Sequence, residues 1–123
     1  MINMGAEYTE YVTGKFASNV AIKSNSAELA TTPTIYNVTM TTLDYEYSQS
    51  LPANTKIVEF GCRESGFDVR YAYEAGKVAA PITPFKTLGA GQIKTIDIIN
   101  LTSIILYFAC STAGKTMEIE CWS

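Results

Sequence analysis

The sequence predicts an all-β fold, an antiparallel, jelly-roll-like β-sandwich of about seven or eight strands. Three observations support this. Apolar and polar residues alternate through the second half, short apolar runs are separated by Gly, Pro and Asn turns, and no segment shows a helical apolar stripe. The composition agrees, because only 17% of the 123 residues are charged, whereas about a quarter is typical of globular domains. Thr and Tyr, which favour strands, are frequent in place of the missing charge.

The chain is expected to consist of an arm and one domain. Residues 1–32 predict an extended N-terminal arm, because Gly, Ser and Asn interrupt them and their apolar residues follow no sustained period. Residues 33–123 predict one β-sandwich domain, in keeping with the length. We expect the arm to become ordered only against another surface, with Tyr8, Tyr11 and Phe16 as its apolar anchors.

The first strand run changes its apolar parity part-way. Residues 35–42 are rich in β-branched residues, and Tyr36, Val38 and Met40 stand on even positions. From Leu43 onwards, the apolar residues stand on odd positions. Such a switch predicts either a bulge near Thr41 and Thr42 or a strand that passes from one sheet to the other.

Turn residues separate the next two strands. Residues 51–55, with their Pro and Asn, predict a turn. Residues 56–62 begin with apolar side chains on both parities, as a central strand does. Residues 63–66 end in Gly and predict a hairpin loop. Residues 67–74 alternate cleanly, with four apolar side chains on one face.

The rest of the chain alternates between loops and strands. A loop with one Gly and two Pro residues, 75–84, is expected to cross the end of the sheets. A short edge strand is predicted at residues 85–88. Three further strands follow, each after a turn, at 92–99, 104–110 and 116–122.

Three cysteines, an odd number, argue against a disulfide scaffold. A hairpin turn near Ala113 would place Cys110 opposite Met117 and Cys121 opposite Leu106, so these two thiols would not face each other. Because all three cysteines, including Cys62, have apolar neighbours in the sequence, we expect them to be reduced and mostly buried.

Nothing in the sequence indicates an enzyme or a cofactor. The chain has no His, which excludes histidine bases, Ser-His triads and histidine metal sites. Residues 113–116 resemble the end of a phosphate-binding loop but lack its first Gly and its following helix. The acidic pairs Glu118 with Glu120 and Asp44 with Glu46 are interpreted as solvated strand faces. We therefore predict no catalytic activity and no bound cofactor.

Charge and hydropathy limit the partners. The net charge is −3 and the nine basic residues are scattered, so no dense basic patch is available for nucleic acid. No secretory signal is visible at the N-terminus. The most apolar stretch, residues 96–110, contains polar residues and is too short to span a bilayer. Neither nucleic acid nor a membrane is an expected partner.

Four tyrosines form two i, i+2 pairs, Tyr45 with Tyr47 and Tyr71 with Tyr73. On adjacent strands they would make a single aromatic face. One interpretation is packing in the core and at its rim. The other is an intersubunit or carbohydrate-binding surface, where Tyr offers an apolar body and a polar tip. With the three arm anchors, these tyrosines are the candidate partner-binding residues.

The second half of the chain has a specific layout. The Leu-Pro-Ala-Asn turn at 51–54 comes first, followed by a Pro-rich loop with Phe85 and by Leu-Gly-Ala-Gly at 88–91. The closing strands are 105–114, Ile-Leu-Tyr-Phe-Ala-Cys-Ser-Thr-Ala-Gly, and 116–122, Thr-Met-Glu-Ile-Glu-Cys-Trp. This layout resembles the small β-sandwich virion proteins of tailed bacteriophages, namely capsid decoration (cement) proteins and related head-fibre domains.

The resemblance, which covers residues 51–123, implies a decoration protein that binds the major capsid protein and stabilises the phage head. It also implies a homotrimer at capsid three-fold positions, with its arm on the capsid protein, and location in the virion after synthesis in the host cytoplasm. Two alternatives stay open. One is a carbohydrate-binding or adhesin-type fibre module, and the other is a neck or tail component.

Overall fold

Eight strands and no helix make up the part of the chain that the computed structural model describes, residues 30–97 and 100–123. The arm anchors Tyr8, Tyr11 and Phe16 lie outside the described residues. The strands are β1 (Pro33–Met40), β2 (Tyr47–Leu51), β3 (Ile57–Cys62), β4 (Val69–Ala72), β5 (Lys86–Leu88), β6 (Ile93–Ile96), β7 (Ile104–Cys110) and β8 (Lys115–Trp122).

The strands form two four-stranded sheets, in the orders β1-β8-β3-β6 and β2-β7-β4-β5. Every pair is antiparallel, and the pairs β1 with β8, β2 with β7, β3 with β6 and β4 with β5 are nested. The chain is therefore one long antiparallel hairpin, wrapped so that β8 also pairs with β3 and β7 with β4. This is jelly-roll strand order, which confirms the predicted fold class and strand number.

The chain crosses between the sheets directly after β1. β1 ends at Met40, and residues 41–46 form a loop in which Asp44 has a φ of 52°. β2 then begins in the opposite sheet at Tyr47. Of the two predicted explanations for the parity switch, the crossing between sheets is therefore correct.

Two predicted hairpins are wrong. β3 and β4 lie in different sheets, as do β7 and β8, so residues 63–66 and 111–114 are crossings between the sheets. Their glycines do adopt positive φ, 93° at Gly66 and 83° at Gly114. The error arose because a Gly turn reverses the chain equally well in a hairpin and in a crossing.

The cysteine neighbours change accordingly. Cys110 lies opposite Val69, and Cys121 lies between Thr34 and Val58. All three cysteines are free, two of them buried and Cys62 half-buried. The prediction of unpaired thiols is confirmed, although the predicted cross-strand partners were wrong.

The main core lies between the two sheets and is rich in aromatic side chains. Phe60 on β3 meets Tyr71 on β4 edge to face, with ring centroids 5.0 Å apart. Phe108, at the centre of β7, is fully buried. The remaining buried members of this cluster are Met40, Leu51, Val58, Val69, Leu88, Leu106, Cys110, Met117, Ile119 and Cys121.

A second, smaller core covers the outer face of the β2-β7-β4-β5 sheet. Val78, in the loop between β4 and β5, is fully buried against Ala72 and Ala109. Both alanines point away from the main core, and their small side chains leave room for the valine. The predicted loop across the sandwich is thereby folded back onto the sheet.

Glu64 links the β3–β4 crossing to β8, and this link predicts a pH dependence. The Thr116 N–H donates to Glu64 Oε1 at 2.9 Å, and this hydrogen bond lowers the pKa of the Glu64 carboxyl. The resulting stabilisation is complete above the ordinary Glu pKa of about 4.3 and is lost as the pH falls through the lowered folded-state pKa. The difference in unfolding free energy between wild type and Glu64→Gln should therefore be constant near pH 7 and shrink below about pH 4.3.

Urea unfolding of both proteins between pH 3 and pH 7 measures this difference. Glu74→Gln, which changes an exposed carboxylate in a loop, is the matched control and should show a smaller trend. A wild-type advantage that stays constant down to pH 3 would contradict the assignment.

Candidate functional site

Two loops are joined into one unit on the sandwich. They are residues 41–46, between β1 and β2, and residues 73–85, between β4 and β5, together called the joined loops. Arg70 Nη2 donates to Asp44 Oδ1 at 2.7 Å, and the Gly76 N–H donates to Glu46 Oε1 at 2.9 Å. The sequence predicted these two carboxylates on a solvated strand face. That was wrong, because they lie in a loop and hold its neighbour.

Arg70 also holds the second loop by its backbone. Its Nε donates to the Val78 carbonyl at 2.7 Å, and its Nη2 lies 3.3 Å from the Ala79 carbonyl. The Arg70 side chain is only 16% exposed. A planar guanidinium with several donors suits such a multiple contact, whereas a lysine ammonium does not reproduce it.

The joined loops carry four exposed large apolar side chains. Leu43 and Tyr45 belong to the first loop, and Tyr73 and Ile82 belong to the second. Their exposed fractions are 52%, 57%, 48% and 54%, respectively. Since the loops are tied to each other and to the sheet, these side chains stand on a fixed support.

The predicted tyrosine pairs each combine an outer and an inner ring. Tyr45 contacts Tyr47 edge to face with centroids 5.1 Å apart, and Tyr73 contacts Tyr71 in the same way at 6.2 Å. Tyr71 belongs to the main core and is 4% exposed. The inner rings therefore support the outer ones, which are the members available to a partner.

The prediction that the two tyrosine pairs lie on adjacent strands is wrong. β7 lies between β2 and β4, and its Phe108 faces Tyr47 on one side and Tyr71 on the other. A single aromatic face could not be predicted reliably, because residue spacing identifies which side chains share a face of a strand but does not identify the neighbouring strand.

Tyr47 also orders the first loop. The Thr42 N–H donates to Tyr47 Oη at 2.9 Å, and the Thr41 hydroxyl lies at the same distance. The hydrogen bond with the Thr41 hydroxyl is the main reason why the pKa of Tyr47 is lowered from its ordinary value. Tyr47 thus fixes the loop that presents Tyr45.

An apolar pocket opens beside Tyr73, where the β4–β5 loop begins and ends. Burial raises the pKa of the Tyr73 phenol, and the neutral phenol can donate a hydrogen bond. An aromatic wall with a nearby carboxylate and ammonium is suited to a small polar ligand with an apolar face. The pocket holds about 270 Å³ and is lined by Tyr71, Ala72, Tyr73, Glu74, Pro84, Phe85 and Lys86.

A shallow groove of about 280 Å³ runs over the outer face of the β1-β8-β3-β6 sheet. Gly61 contributes to its floor, and Ile35 and Ile93, which are 63% and 64% exposed, lie on the two edge strands. A Cβ at Gly61 would stand only 3.1 Å from the Gln92 carbonyl oxygen and 3.2 Å from Ile93 Cγ1. The missing side chain therefore keeps this part of the groove open.

Three glutamates line the same groove, and we call them the acidic face: Glu59, Glu118 and Glu120. Glu118 accepts from Arg63 Nε at 2.8 Å, and the other two lie directly opposite each other on β3 and β8. Trp122 Nε1 donates to Glu120 at 2.6 Å. As the sequence analysis expected, Glu118 and Glu120 share the outer side of their strand.

Across residues 30–97 and 100–123, no group of three or more Cys, Asp or Glu side chains is arranged to hold a metal ion. The same residues include no helix with the length and hydropathy needed to cross a membrane.

Several residues of these surfaces were not predicted from the sequence. Arg70 was not among the predicted partner-binding residues, yet it joins two loops that are distant in sequence. Ile35 stands on the polar parity of β1, between Thr34 and Tyr36, and is exposed. An apolar residue on the solvent parity of a strand was the available signal for an interaction surface.

No family model matches the sequence, and no curated protein matches it either. Among solved structures, the chain is similar to a de novo designed double-stranded β-helix, with 14% identity over 76% of this chain and 100% of that chain, at a TM-score of 0.44. It is also similar to a protein of Bacillus endospore appendages, described as disulfide-linked pili, with 12% identity over 74% of this chain and 83% of that chain, at a TM-score of 0.28.

Proposed function

We propose that this chain is a structural protein of a virus particle, a capsid decoration protein that binds the major capsid protein and stabilises the phage head. It is made in the host cytoplasm and resides on the capsid surface. The observation that carries the proposal is the pair of joined loops with their four exposed apolar side chains. The jelly roll agrees with it, since viral capsid domains use this architecture, although fold alone does not determine function.

The joined loops have the properties of a protein-binding surface. Tyrosine is enriched at interface centres, where its ring contributes area and its hydroxyl a hydrogen bond. Tyr45 and Tyr73 each lean on an inner ring, and Arg70 holds the loops together. Ordering such residues on binding costs little conformational entropy, because they are already held in place.

We also propose that the protein acts as a homotrimer and that residues 1–32 attach it to the capsid. The low charge of the strands supports self-association. The arm anchors Tyr8, Tyr11 and Phe16 are proposed to bury their rings on the capsid protein, where each could recover about 1.5–3 kcal/mol.

Rebinding to capsids tests the proposal. Purified protein is added to heads that lack it, and bound protein is measured after sedimentation. Wild type should bind, and Tyr45→Ser combined with Tyr73→Ser should bind at least ~10-fold more weakly, because two interface rings are lost. Ile105→Ser, on the outer face of β7, is the matched control and should bind normally.

The same assay separates the arm from the body of the protein. A chain lacking residues 1–14 should keep its melting temperature and lose most of its capsid binding. Undiminished binding would place attachment in the folded domain alone, and outright unfolding would make the arm a part of the sandwich. No rebinding by wild type would refute the decoration function.

The pocket beside Tyr73 supports a second candidate, the carbohydrate-binding or adhesin-type fibre module. Phe85 and Tyr73 offer aromatic surface, while Glu74 and Lys86 offer polar groups beside it. A glycan array with wild type and Tyr73→Ser tests this candidate, which requires a glycan signal that the variant loses. A neck or tail component would instead be found on purified tails and be missing from heads.

A further inference from the structure

The edge strands on the two sides of the sandwich differ in length and charge. β5 and β6 are edge strands of three and four residues, and each carries a lysine, Lys86 and Lys94. β1 and β2 are the opposite edge strands, have eight and five residues, and contain no charged residue. Short strands, lysines and prolines are devices that prevent an edge from pairing with another chain. β1 is long and uncharged, and its one proline, Pro33, is its first residue, so an edge-facing N–H is missing only at that end.

The open edge of β1 presents a regular row of backbone groups. Thr32 and Ser123 exchange both N–H···O bonds, at 2.9 and 3.0 Å, so even-numbered residues of β1 direct their backbone groups towards β8. The odd-numbered residues Ile35, Asn37 and Thr39 therefore direct theirs away from it. Among the described residues, β8 is the only strand that pairs with β1.

The side chains beside this edge define the chemistry of a partner. Ile35 is exposed and offers an apolar contact on the outer face. Glu118 and Glu120 lie one strand further in, on β8. Arg63 already pairs with Glu118, whereas Glu120 lies directly opposite Glu59 on β3. Like charges opposite each other are unfavourable, and a partner's cation would relieve them. The chain's net charge of −3 also attracts a basic segment.

We propose that the edge of β1 binds an extended segment of a partner protein as an added antiparallel strand. The segment alternates apolar residues, which pack on the inner face beside the half-buried Tyr36 and Val38, with Lys or Arg residues on the outer face. The aliphatic stems of these basic residues cross Ile35, and their charges reach towards Glu118 and Glu120. Two strand spacings, about 9–10 Å, separate the added strand from β8, a distance that a long basic side chain and a glutamate cover together. This mode of attachment adds to the proposed function and does not require the partner to be a capsid protein.

A second copy of β1 fits the edge less well. Two copies paired in this way would join their acidic faces in one continuous sheet, and each copy would bring a net charge of −3. Neither copy would supply the basic side chains that the acidic face attracts. A basic segment has the complementary charge.

Amide hydrogen exchange measured by NMR on the full chain tests the proposal. The probe is a nine-residue synthetic peptide of alternating valine and lysine. Without it, the amides of Ile35, Asn37 and Thr39 should exchange at least 100-fold faster than those of Tyr36 and Val38. Saturating peptide should slow these three amides at least 10-fold.

The two exposed isoleucines provide a matched pair of variants. Ile35→Lys should weaken peptide binding at least 10-fold, because it adds a positive charge and removes the apolar contact. Ile93→Lys, equally exposed on the other edge of the same sheet, should change it less than 2-fold. Thr39→Pro removes an edge-facing N–H together with the hydroxyl contact to Thr116, so it should weaken binding while leaving the backbone β1–β8 ladder in place. A peptide of alternating valine and glutamate should bind at least 10-fold more weakly.

Four results would overturn the proposal. They are no binding at millimolar peptide, binding without slower exchange of the three amides, slow exchange of these amides in the monomer without peptide, and slow exchange that accompanies a dimer. Capsid rebinding is a separate measurement. A protein that rebinds capsids but ignores the peptide retains the proposed function and loses only this mode of attachment.

Discussion

Phe108→Ala is expected to lower the free energy of unfolding by about 3–5 kcal/mol, the usual range for removing a fully buried phenylalanine. Phe108 is 0% exposed. It lies at the centre of β7, with Tyr47 and Tyr71 opposite it on the two neighbouring strands. The rings of Tyr47 and Tyr71 are fixed by their strands and by the core, so they cannot move far enough to fill the cavity that the missing Phe108 ring leaves.

Urea unfolding measures this effect, with an unchanged slope as the sign that only stability has changed. Ile105→Ala is the matched control on the same strand. Its side chain points outwards and is 37% exposed, so it should cost less than about 1 kcal/mol. Equal losses for the two variants would contradict the assignment of Phe108 to the centre of the core.

Arg70→Ala is expected to release the β4–β5 loop and to cost about 2 kcal/mol, because the carbonyls of Val78 and Ala79 lose their donor. The ion pair with Asp44 adds little to this figure, since that carboxylate is 46% exposed and solvent screens it. The Val78 carbonyl then loses its hydrogen bond, and only the burial of its side chain against the two alanines remains. Arg70→Lys should recover only part of the loss, because an ammonium lacks the guanidinium fork.

Trypsin cleavage after Lys77 reports on the loop directly. A local loss of about 2 kcal/mol should raise the native-state cleavage rate roughly 30-fold when opening and closing are fast. Arg63→Ala, which breaks the exposed ion pair with Glu118, is the matched control and should leave the rate at Lys77 near that of wild type. If Arg70→Ala also left this rate unchanged, Arg70 would not be what holds the loop.

The release of the loop also bears on function. Leu43 and Tyr45 stand on one joined loop, and Tyr73 and Ile82 stand on the other. The Arg70 side chain is only 16% exposed, so it acts as a positioning residue for these four side chains. Arg70→Ala should therefore weaken capsid rebinding without removing any contacting ring.

The sequence alone determined the fold class, most strand positions and the inward faces of the strands. This was possible because the pleat sends alternate side chains to opposite faces, and residues such as Val38, Met117 and Ile119 repeat with that period. The turns were visible for a similar local reason. Gly66 and Gly114 adopt positive φ, which glycine does at little cost.

Only the tertiary structure decided which strands are neighbours. A strand's side-chain pattern states which face is buried but not which chain segment donates to its backbone, so crossings at residues 63–66 and 111–114 looked like hairpins. For the same reason, the sequence did not predict the hydrogen bond between Arg70 and Asp44, which are 26 positions apart. Nor did it predict that Tyr71 is buried while Tyr73 is exposed. Such contacts depend on long-range strand pairing, which the residues next to each other in the sequence do not determine.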